Sequence, residues 1–122
     1  MGVGVSNWRL ARAVSRAGQM GVVSGTALDT LFVRRLQEGD PGGHLRRAME
    51  SFPLPRAAVD AFKRFFRPGG LPPGTPYVTL PLTGHRMSRA REQLHMLAAF
   101  VEVHLAKQDH AGPVGINLLT KV

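Results

Sequence analysis

Side chains capable of acid–base, nucleophilic or metal chemistry occur in this sequence, but their spacing predicts no catalytic site. The five histidines are His44, His85, His95, His104 and His110. None follows His-x-x-x-His or His-Glu-x-x-His, the helical spacings that hold zinc. The acids Asp29, Asp40, Glu92 and Glu102 form no recognisable acid–base pair, and no serine stands in a nucleophile elbow. The sequence therefore predicts no catalytic residue and no metal site, and the histidines are interpreted as structural or surface groups.

Glycines and amides beside apolar runs are the stronger candidates for ligand binding. Met1-Gly2-Val3-Gly4 lets the backbone approach a flat ring, because glycine has no side chain; a tight turn into a helix is the alternative. Asn117 interrupts an apolar run, and a buried amide needs partners; an Asn at a strand-to-loop turn is the alternative. Ser24-Gly25-Thr26 ends another apolar run and either lines a pocket or is a loop with Thr26 as helix cap. A dinucleotide-binding fingerprint is excluded, because the third glycine and the preceding strand are missing.

Composition indicates an ordinary globular chain with a basic surface. Its 122 residues suffice for one modest domain, and 43% are hydrophobic. The absence of cysteine excludes disulfides and favours an intracellular, cytoplasmic setting. The net charge of +8 comes from small basic groups on every predicted helix, which favours solvated helix faces over a nucleic-acid surface. The most apolar stretch, residues 94–106, is shorter than the ~20 residues that span a bilayer, so neither a membrane nor nucleic acid is the expected partner.

Periodicity predicts a helix, a strand and a second helix in the first part of the chain. Ser6 is the predicted N-cap of the first helix, and Gly18 ends it. The predicted buried face of this helix consists of Leu10, Ala13, Val14 and Ala17. Residues 20–25 form an apolar run without polar alternation, typical of a strand buried on both faces. Residues 27–38 form the next helix, whose apolar stripe is Leu28, Leu31, Phe32 and Leu36.

Residues 40–87 differ in character and are predicted to be a helical and loop insertion between two regular units. Two short helices are expected at 44–52 and 55–66. The apolar stripe of the second helix consists of Val59, Phe62 and Phe66. Residues 67–76 contain four prolines and three glycines, a loop composition. A short extended piece is expected at 77–82.

The last part of the chain predicts a long helix and another strand. Residues 88–108 form the helix, capped by Ser88, and its apolar residues fall on two adjacent faces. One face consists of Leu94, Leu97, Ala98, Val101 and Leu105, and the other of Met96, Phe100 and Val103. Residues 114–119 form the strand. Strands alternating with helices predict a parallel α/β sheet with right-handed crossovers. Because two strands alone leave unpaired edges, we expect these residues to be a piece of a larger domain.

Both ends of the chain resemble the nitronate monooxygenase (2-nitropropane dioxygenase) family. Residues Met1–Ser6 (MGVGVS) and Ala17–Gly25 (AGQMGVVSG), with the small-residue helix between them, are similar to the family's opening. That opening is a strand ending in a Met-Gly or Met-Ala turn, then Val-Ser, a helix ending in Ala-Gly-Gly, and a second strand. Residues Pro113–Leu119 (PVGINLL) resemble the family's third strand, Phe-Gly-Val-Asn-Leu. The two matches occur in the family's order.

The resemblance implies that residues 1–122 are the N-terminal fragment of an FMN-binding (β/α)8 TIM barrel, an α/β fold, from the end of the first strand to the third. It implies that FMN is bound by Met1, Gly2, Gly25 and Asn117. A whole barrel takes ~250 residues, so the phosphate-binding loops and the family's catalytic histidine would lie in the missing C-terminal part. The intact enzyme would use FMN and O2 to oxidise a nitronate, a small-molecule substrate, and the fragment is expected to be inactive alone.

Three alternatives remain open. The insertion at 40–87 resembles that of the enoyl-reductase component of polyunsaturated fatty acid synthases, which implies a flavin-dependent enoyl-thioester reductase. A small basic module could instead bind RNA, DNA or an acidic partner in a salt-sensitive way. Few exposed aromatic residues are expected for base stacking, with only Trp8 and Tyr77 besides the phenylalanines. The chain could also be the inert product of an interrupted gene.

Overall fold

A computed structural model describes residues 5–78 and 89–117 of the chain. Within these ranges lie five α-helices, one 3-10 helix and two strands. In chain order they are α1 (Trp8–Arg16), β1 (Gly21–Ser24), α2 (Leu28–Gln37), the 3-10 helix (Pro41–Gly43), α3 (His44–Met49), α4 (Pro55–Phe65), α5 (Arg89–Ala106) and β2 (Val114–Asn117). The predicted alternation of helices and strands is therefore present, in an α/β fold.

The two strands form a parallel pair, as predicted. Val22 is paired with Gly115 and Val23 with Ile116. Backbone hydrogen bonds extend the ladder beyond both ends, from Gly21 N to Pro113 O at 3.1 Å and from Gly25 N to Asn117 O at 2.7 Å. The sheet has two strands, and the described residues form no barrel.

The predicted burial of both strands on both faces is correct only in part. Most of β1 is buried, whereas Val114, Gly115 and Ile116 are half-buried and Asn117 is exposed. The reason is that helices cover a single face of the pair: α1 and α5 pack against each other and against the strands. The predicted strand 114–119 is described only as far as Asn117.

The N-terminus of α1 is capped by Asn7, and the prediction of Ser6 as the cap was wrong. The Asn7 side chain accepts hydrogen bonds from the backbone N–H groups of Arg9 and Leu10, at 3.0 and 3.2 Å. The Ser6 hydroxyl instead donates to Val22 O at 2.6 Å. The predicted C-terminal glycine is confirmed, since Gly18 has φ +88° and donates to a carbonyl of the last turn, as αL glycines do.

The buried face of α1 is not the predicted one. Leu10 is 47% exposed, and Ala13 and Ala17 are also exposed. The buried residues are Trp8, Ala11 and Ser15. Specific contacts select this face: Ala11 packs directly on Gly21, and the Ser15 hydroxyl donates to Pro113 O at 2.8 Å.

Helix α5 is the centre of the core. Its predicted apolar row is buried and consists of Leu94, Leu97, Ala98, Val101 and Leu105. The helix contacts both strands and α1 on one side and α2, α3 and α4 on the other, so the predicted burial against two surfaces is confirmed. On the second predicted face Phe100 and Val103 are half-buried, but Met96 is 55% exposed. Ser88, the predicted cap, lies outside the described residues.

Helices α2, α3 and α4 form a second layer over α5. Leu28, Phe32 and Leu36 of the predicted α2 stripe are buried, while Leu31 is only partly so. The stripe predicted for α4 was wrong: the residues that α4 buries are Ala58, Ala61 and Phe65. Two alanines let α4 approach its neighbours closely, and the bulkier Phe62 and Phe66 stack on each other at its partly exposed side, with ring centroids 4.3 Å apart.

The region predicted as an insertion, residues 40–87, contributes α3 and α4 to the same core as the other helices. Of the extended piece expected at 77–82, only Tyr77 and Val78 are described, and they belong to no strand. Within the parts of the chain that the structure describes, none of the helices is long and apolar enough to cross a membrane.

Candidate functional site

The candidate site is the sheet edge at which β1 and β2 end. Gly25, directly after β1, donates its backbone N–H to the carbonyl of Asn117, the last residue of β2. On the other side of β1, Ser24 N donates to Ser6 O at 2.9 Å, so the segment before α1 lies beside the same edge. Ligands of parallel α/β sheets bind at the carboxyl ends of strands. Three chain segments converge at such an edge here.

The sheet face that carries Asn117 is not covered by the helices. Because side chains alternate along a strand, Val23 and its partner Ile116 lie on one face, and Ile116 packs against the core. Asn117 and Ser24 share the opposite face. The nearest neighbour of Gly115 on that face is the end of the Met20 side chain, which is 60% exposed. A planar ligand at this edge would therefore meet a shallow, mostly apolar surface.

Two of the four predicted cofactor-binding residues are described, and the structure brings them together. Gly25 is buried and Asn117 is exposed. The side-chain amide of Asn117 makes no hydrogen bond with a described residue. Met1 and Gly2 lie outside the described residues. The sequence assigned Ser6 to helix capping, so its hydrogen bonds to β1 were not predicted. The available signal was Asn7, the next residue, which is an equally good N-cap.

The helix N-termini near this edge are already occupied by the protein's own acceptors. At α2, the Asp29 carboxylate accepts Thr30 N at 2.8 Å and pairs with Arg91 at 2.8 Å. At α1, the buried Glu102 carboxylate accepts Trp8 N at 2.8 Å. A helix N-terminus otherwise attracts phosphate. These two termini hold a carboxylate instead, so the edge suits an uncharged, hydrogen-bonding ring better than a phosphate.

The buried carboxylates were the polar feature that the sequence left unassigned. Glu102, on α5, is 3% exposed and also pairs with Arg35 of α2. Asp40 is buried too, and its oxygens accept the backbone N–H groups of Leu45 and Arg46 at 3.1 and 3.0 Å, which caps α3. These carboxylates connect helices to one another, and no unbonded polar side-chain atom is buried among the described residues. Their arrangement is structural.

A small polar cavity of about 180 Å³ lies beyond this cluster, between α1 and the start of α3. Trp8 and His44 face each other there, with ring centroids 5.1 Å apart. Partial burial lowers the pKa of His44 below its ordinary value of 6.5; the cations Arg47 and Arg9 lower it further, and Asp40 opposes them. Residues 5–78 and 89–117 contain no group of histidine and acidic side chains able to hold a metal ion.

Similarity to known proteins does not assign a function to this edge. Comparisons with protein-family models, with curated proteins and with solved structures find no match for this chain. What the edge can bind must therefore be argued from its own residues.

Proposed function

We propose that the carboxyl edge of the sheet holds the ring of FMN, and that the chain is the N-terminal part of a (β/α)8-barrel oxidoreductase of the nitronate monooxygenase kind. The observation that carries the proposal is the hydrogen bond between Gly25 N and Asn117 O. It joins the ends of two parallel strands whose sequences are the ones that resemble the family's FMN-binding segments.

The spatial order of the segments supports a barrel. Ser6, β1 and β2 lie side by side in the order in which they occur along the chain. In a TIM barrel successive strands are neighbours, the helices form an outer ring, and active sites lie at the carboxyl ends of the strands. Here α1 and α5 cover one face of the strand pair. The face that carries Asn117 would then be the barrel interior.

The residues at the edge fit the ring of a flavin. The Asn117 amide offers one donor and one acceptor direction, as the carbonyl and N–H groups of the ring require. Gly25 has no side chain to obstruct the ring, and the resemblance implies that the backbone of Met1 and Gly2 contacts the ring. The phosphate fits less well, because Asp29 and Glu102 occupy the helix N-termini. In this proposal it binds to the loops after strands 7 and 8, the usual phosphate site of such barrels.

The flavin, when bound, would supply the electron chemistry, and this chain would position it. Asn117 orients the ring through its amide, and the apolar surface around Val22 and Met20 excludes water from one side of it. No residue of the chain is assigned a catalytic role. A nitronate is the proposed substrate, and an enoyl thioester is the comparison substrate in the assay.

The test is flavin binding by the protein expressed from its intact reading frame. A yellow protein that releases FMN on denaturation and consumes an alkyl nitronate with O2 is the expected result. Asn117→Ala should weaken FMN binding about tenfold, since one or two net hydrogen bonds are worth about 0.5–1.5 kcal/mol each. Gln19→Ala, which removes an exposed amide outside this edge, should leave FMN affinity unchanged.

Three results would contradict the proposal: a correctly folded protein without flavin absorbance, an Asn117→Ala variant with full FMN affinity, or equal losses in both variants. If the protein binds FMN but reduces an enoyl thioester and leaves the nitronate untouched, the edge assignment stands and the substrate assignment is wrong.

A further inference from the structure

His44, the first residue of α3, has its imidazole ring between groups from three elements. The ring faces Trp8 of α1, with ring centroids 5.1 Å apart. Arg47, one turn further along α3, has its Nη2 atom 2.7 Å from His44 Nδ1. Gly42 of the 3-10 helix lies beside the other ring nitrogen, since a Cβ atom at Gly42 would come within 2.7 Å of His44 Nε2. The ring therefore connects α1, α3 and the turn between α2 and α3.

The contact with Arg47 defines the charge of the imidazole. A guanidinium carries only hydrogen-bond donors, so His44 Nδ1 must be the acceptor. This nitrogen accepts only while it has no proton, which leaves the proton of the neutral ring on Nε2. Protonation of Nδ1 would remove the hydrogen bond and would place a second cation against the Arg47 guanidinium. The observed contact therefore belongs to neutral His44.

The surroundings of His44 oppose a positive charge on its ring. The Arg9 guanidinium lies over the Trp8 ring, with its carbon 4.7 Å from the centroid, so Trp8 already has a cation on its face. Partial burial lowers the pKa of His44, Arg47 and Arg9 lower it further, and Asp40 opposes them. The charged and titratable residues that contact His44 or share its cavity are Arg9 on α1, Arg35 and Glu38 at the end of α2, Asp40 in the turn, and Arg47 on α3.

The two carboxylates near the ring have other partners. Asp40 is buried and accepts the backbone N–H groups of Leu45 and Arg46, which begin α3. Glu38 accepts a hydrogen bond from the Tyr77 hydroxyl at 2.9 Å. Neither carboxylate is hydrogen-bonded to His44 in the described part of the chain. A protonated ring would therefore have two guanidinium groups as neighbours and no hydrogen-bonded carboxylate.

The turn that precedes His44 is able to change its conformation. Asp40, Gly42 and Gly43 have left-handed φ angles of +47°, +82° and +68°. Such conformations persist while the surrounding contacts hold them, and glycine adopts other conformations as readily. Helices α1 and α3 each pack on α5 but make few contacts with each other. A rearrangement of this turn can therefore separate His44 from Trp8 while both helices stay on the core.

We propose that His44 is a pH-sensitive switch that holds the start of α3 against α1 when neutral and releases it when protonated. In the closed state His44 forms one wall of the cavity of about 180 Å³ beside Trp8. In the open state the imidazolium has lost its bond to Arg47 and turned towards solvent, which exposes Trp8 and widens the cavity. Asp40 keeps α3 capped in both states.

The direction of the switch follows from the pKa of His44, which lies below 6.5 in the folded protein. The closed state is complete above pH 6.5 and is lost as the pH falls through that lower pKa. The inference does not depend on the flavin proposal, because none of these residues belongs to the sheet edge.

The test follows Trp8, the single tryptophan of the chain, in the full protein. Trp8 is 8% exposed, so acrylamide should reach it poorly when His44 is neutral. Between about pH 8 and pH 5 the rate constant of acrylamide quenching should rise about twofold or more, with a midpoint below 6.5. The rate constant is taken from fluorescence lifetimes at each pH, because a protonated imidazole also quenches indole directly. Far-UV circular dichroism should stay constant over this range.

Four variants locate the switch. His44→Gln should abolish the pH dependence, because an amide does not titrate, and the same substitution at His95 of α5 should leave it as in the wild type. Arg47→Leu should raise the midpoint, since it removes a cation that disfavours protonation of His44. Arg56→Leu, the same change at an exposed position of α4, should leave the midpoint unchanged.

The inference is overturned if the accessibility of Trp8 stays constant between these pH values, if His44→Gln retains the transition, or if His95→Gln removes it. It is also overturned if circular dichroism changes together with the exposure of Trp8, because the transition is then unfolding of the whole chain. Equal midpoints in Arg47→Leu and Arg56→Leu would contradict the role of Arg47 and, with it, the switch.

Discussion

The two faces of the parallel sheet differ in how closely the rest of the chain approaches them. On the helix-covered face a Cβ atom at Gly21 would overlap the carbonyl oxygen of Ala11. On the other face, the one described atom that a Cβ atom at Gly115 would meet is the terminal methyl group of Met20, at 2.8 Å. One face is therefore fixed by backbone packing, and the other is bordered by a side chain that can move. Among the described residues, the Asn117 face therefore has no covering helix.

The largest effect is expected from adding one methyl group to the covered face. Gly21→Ala forces α1 away from β1, because the obstructing atom belongs to the backbone, and should cost about 3 kcal/mol or more in the free energy of unfolding. Gly115→Ala is the matched change on the open face. It should stay within about 1 kcal/mol of the wild type, since Met20 can turn aside and alanine loses less backbone entropy than glycine. Urea unfolding compares the two; equal losses would contradict the difference between the faces.

The second-largest effect is expected at Glu102 on α5, which accepts the backbone N–H of Trp8 on α1 and pairs with Arg35 on α2. Glu102→Ala leaves Arg35 and the N–H of Trp8 without their acceptor in a largely buried place and should cost about 3 kcal/mol. Glu102→Gln keeps one acceptor and should lose less. Asp109→Asn removes the exposed charge partner of Arg12, 3.4 Å away, and keeps a residue that tolerates the left-handed backbone at this position, φ +64°. It should cost at most about 0.5 kcal/mol. If Asp109→Asn destabilises the protein as much as Glu102→Ala does, burial is not what makes the Glu102 carboxylate important.

A smaller effect separates two neighbouring valines of β1. Val23 is fully buried on the covered face, and Val22, on the other face, is only partly buried. Val23→Ala should cost about 2 kcal/mol, because it removes two methyl groups and leaves a cavity. Val22→Ala should cost about 1 kcal/mol or less, although it loses the same strand propensity. Guanidinium unfolding measures both, and a Val22→Ala loss equal to that of Val23→Ala would show that something covers the second face.

The smallest effect is a pH dependence at His44, where α3 meets α1. Its folded pKa lies below 6.5, so protonation favours the unfolded chain. The stability contributed by neutral His44 is complete above pH 6.5 and is lost as the pH falls through the folded pKa. The wild type should therefore lose more stability than His44→Gln between pH 7 and the lower pKa, and the NMR titration midpoint of His44 should lie below 6.5. A midpoint above 6.5 would reverse the sign.

The strands and the central helix were predictable from local pattern. Apolar runs bordered by glycine indicated strands at 20–25 and 114–119, and the structure has them at Gly21–Ser24 and Val114–Asn117. The buried row of α5 was also predicted, because its large aliphatic residues recur with helical spacing on one side. Parallel pairing followed from the helices between the strands, which leave room for a crossover.

The buried faces of α1 and α4 differ from those that the spacing of apolar residues predicted, because contacts with residues distant in the sequence selected them. In α1 the choice between Leu10 and Ala11 was made by the close contact with Gly21. In α4 the alanines are buried, and Val59 is 48% exposed. Two of the three buried residues of each helix are small, Ala11 and Ser15 in α1 and Ala58 and Ala61 in α4. Small side chains permit the close approach of two backbones.

The proximity of Gly25 and Asn117, two residues of the candidate site, could also be predicted from the sequence. Gly25 and Asn117 end strands that were expected to be parallel, so their proximity followed from topology. The partners of the buried acids could not be inferred, because Glu102 and Arg35 are 67 residues apart and Asp29 and Arg91 are 62 apart. No local spacing encodes such pairs.

The sequence by itself determined which segments are helix or strand and that the two strands run parallel, because these depend on periodicity and on short-range turn chemistry. Only the tertiary structure decided which side of α1 and α4 is buried and which cation neutralises each buried acid. Those outcomes depend on how closely particular backbones can approach one another, and that distance is set by residues far apart in the chain.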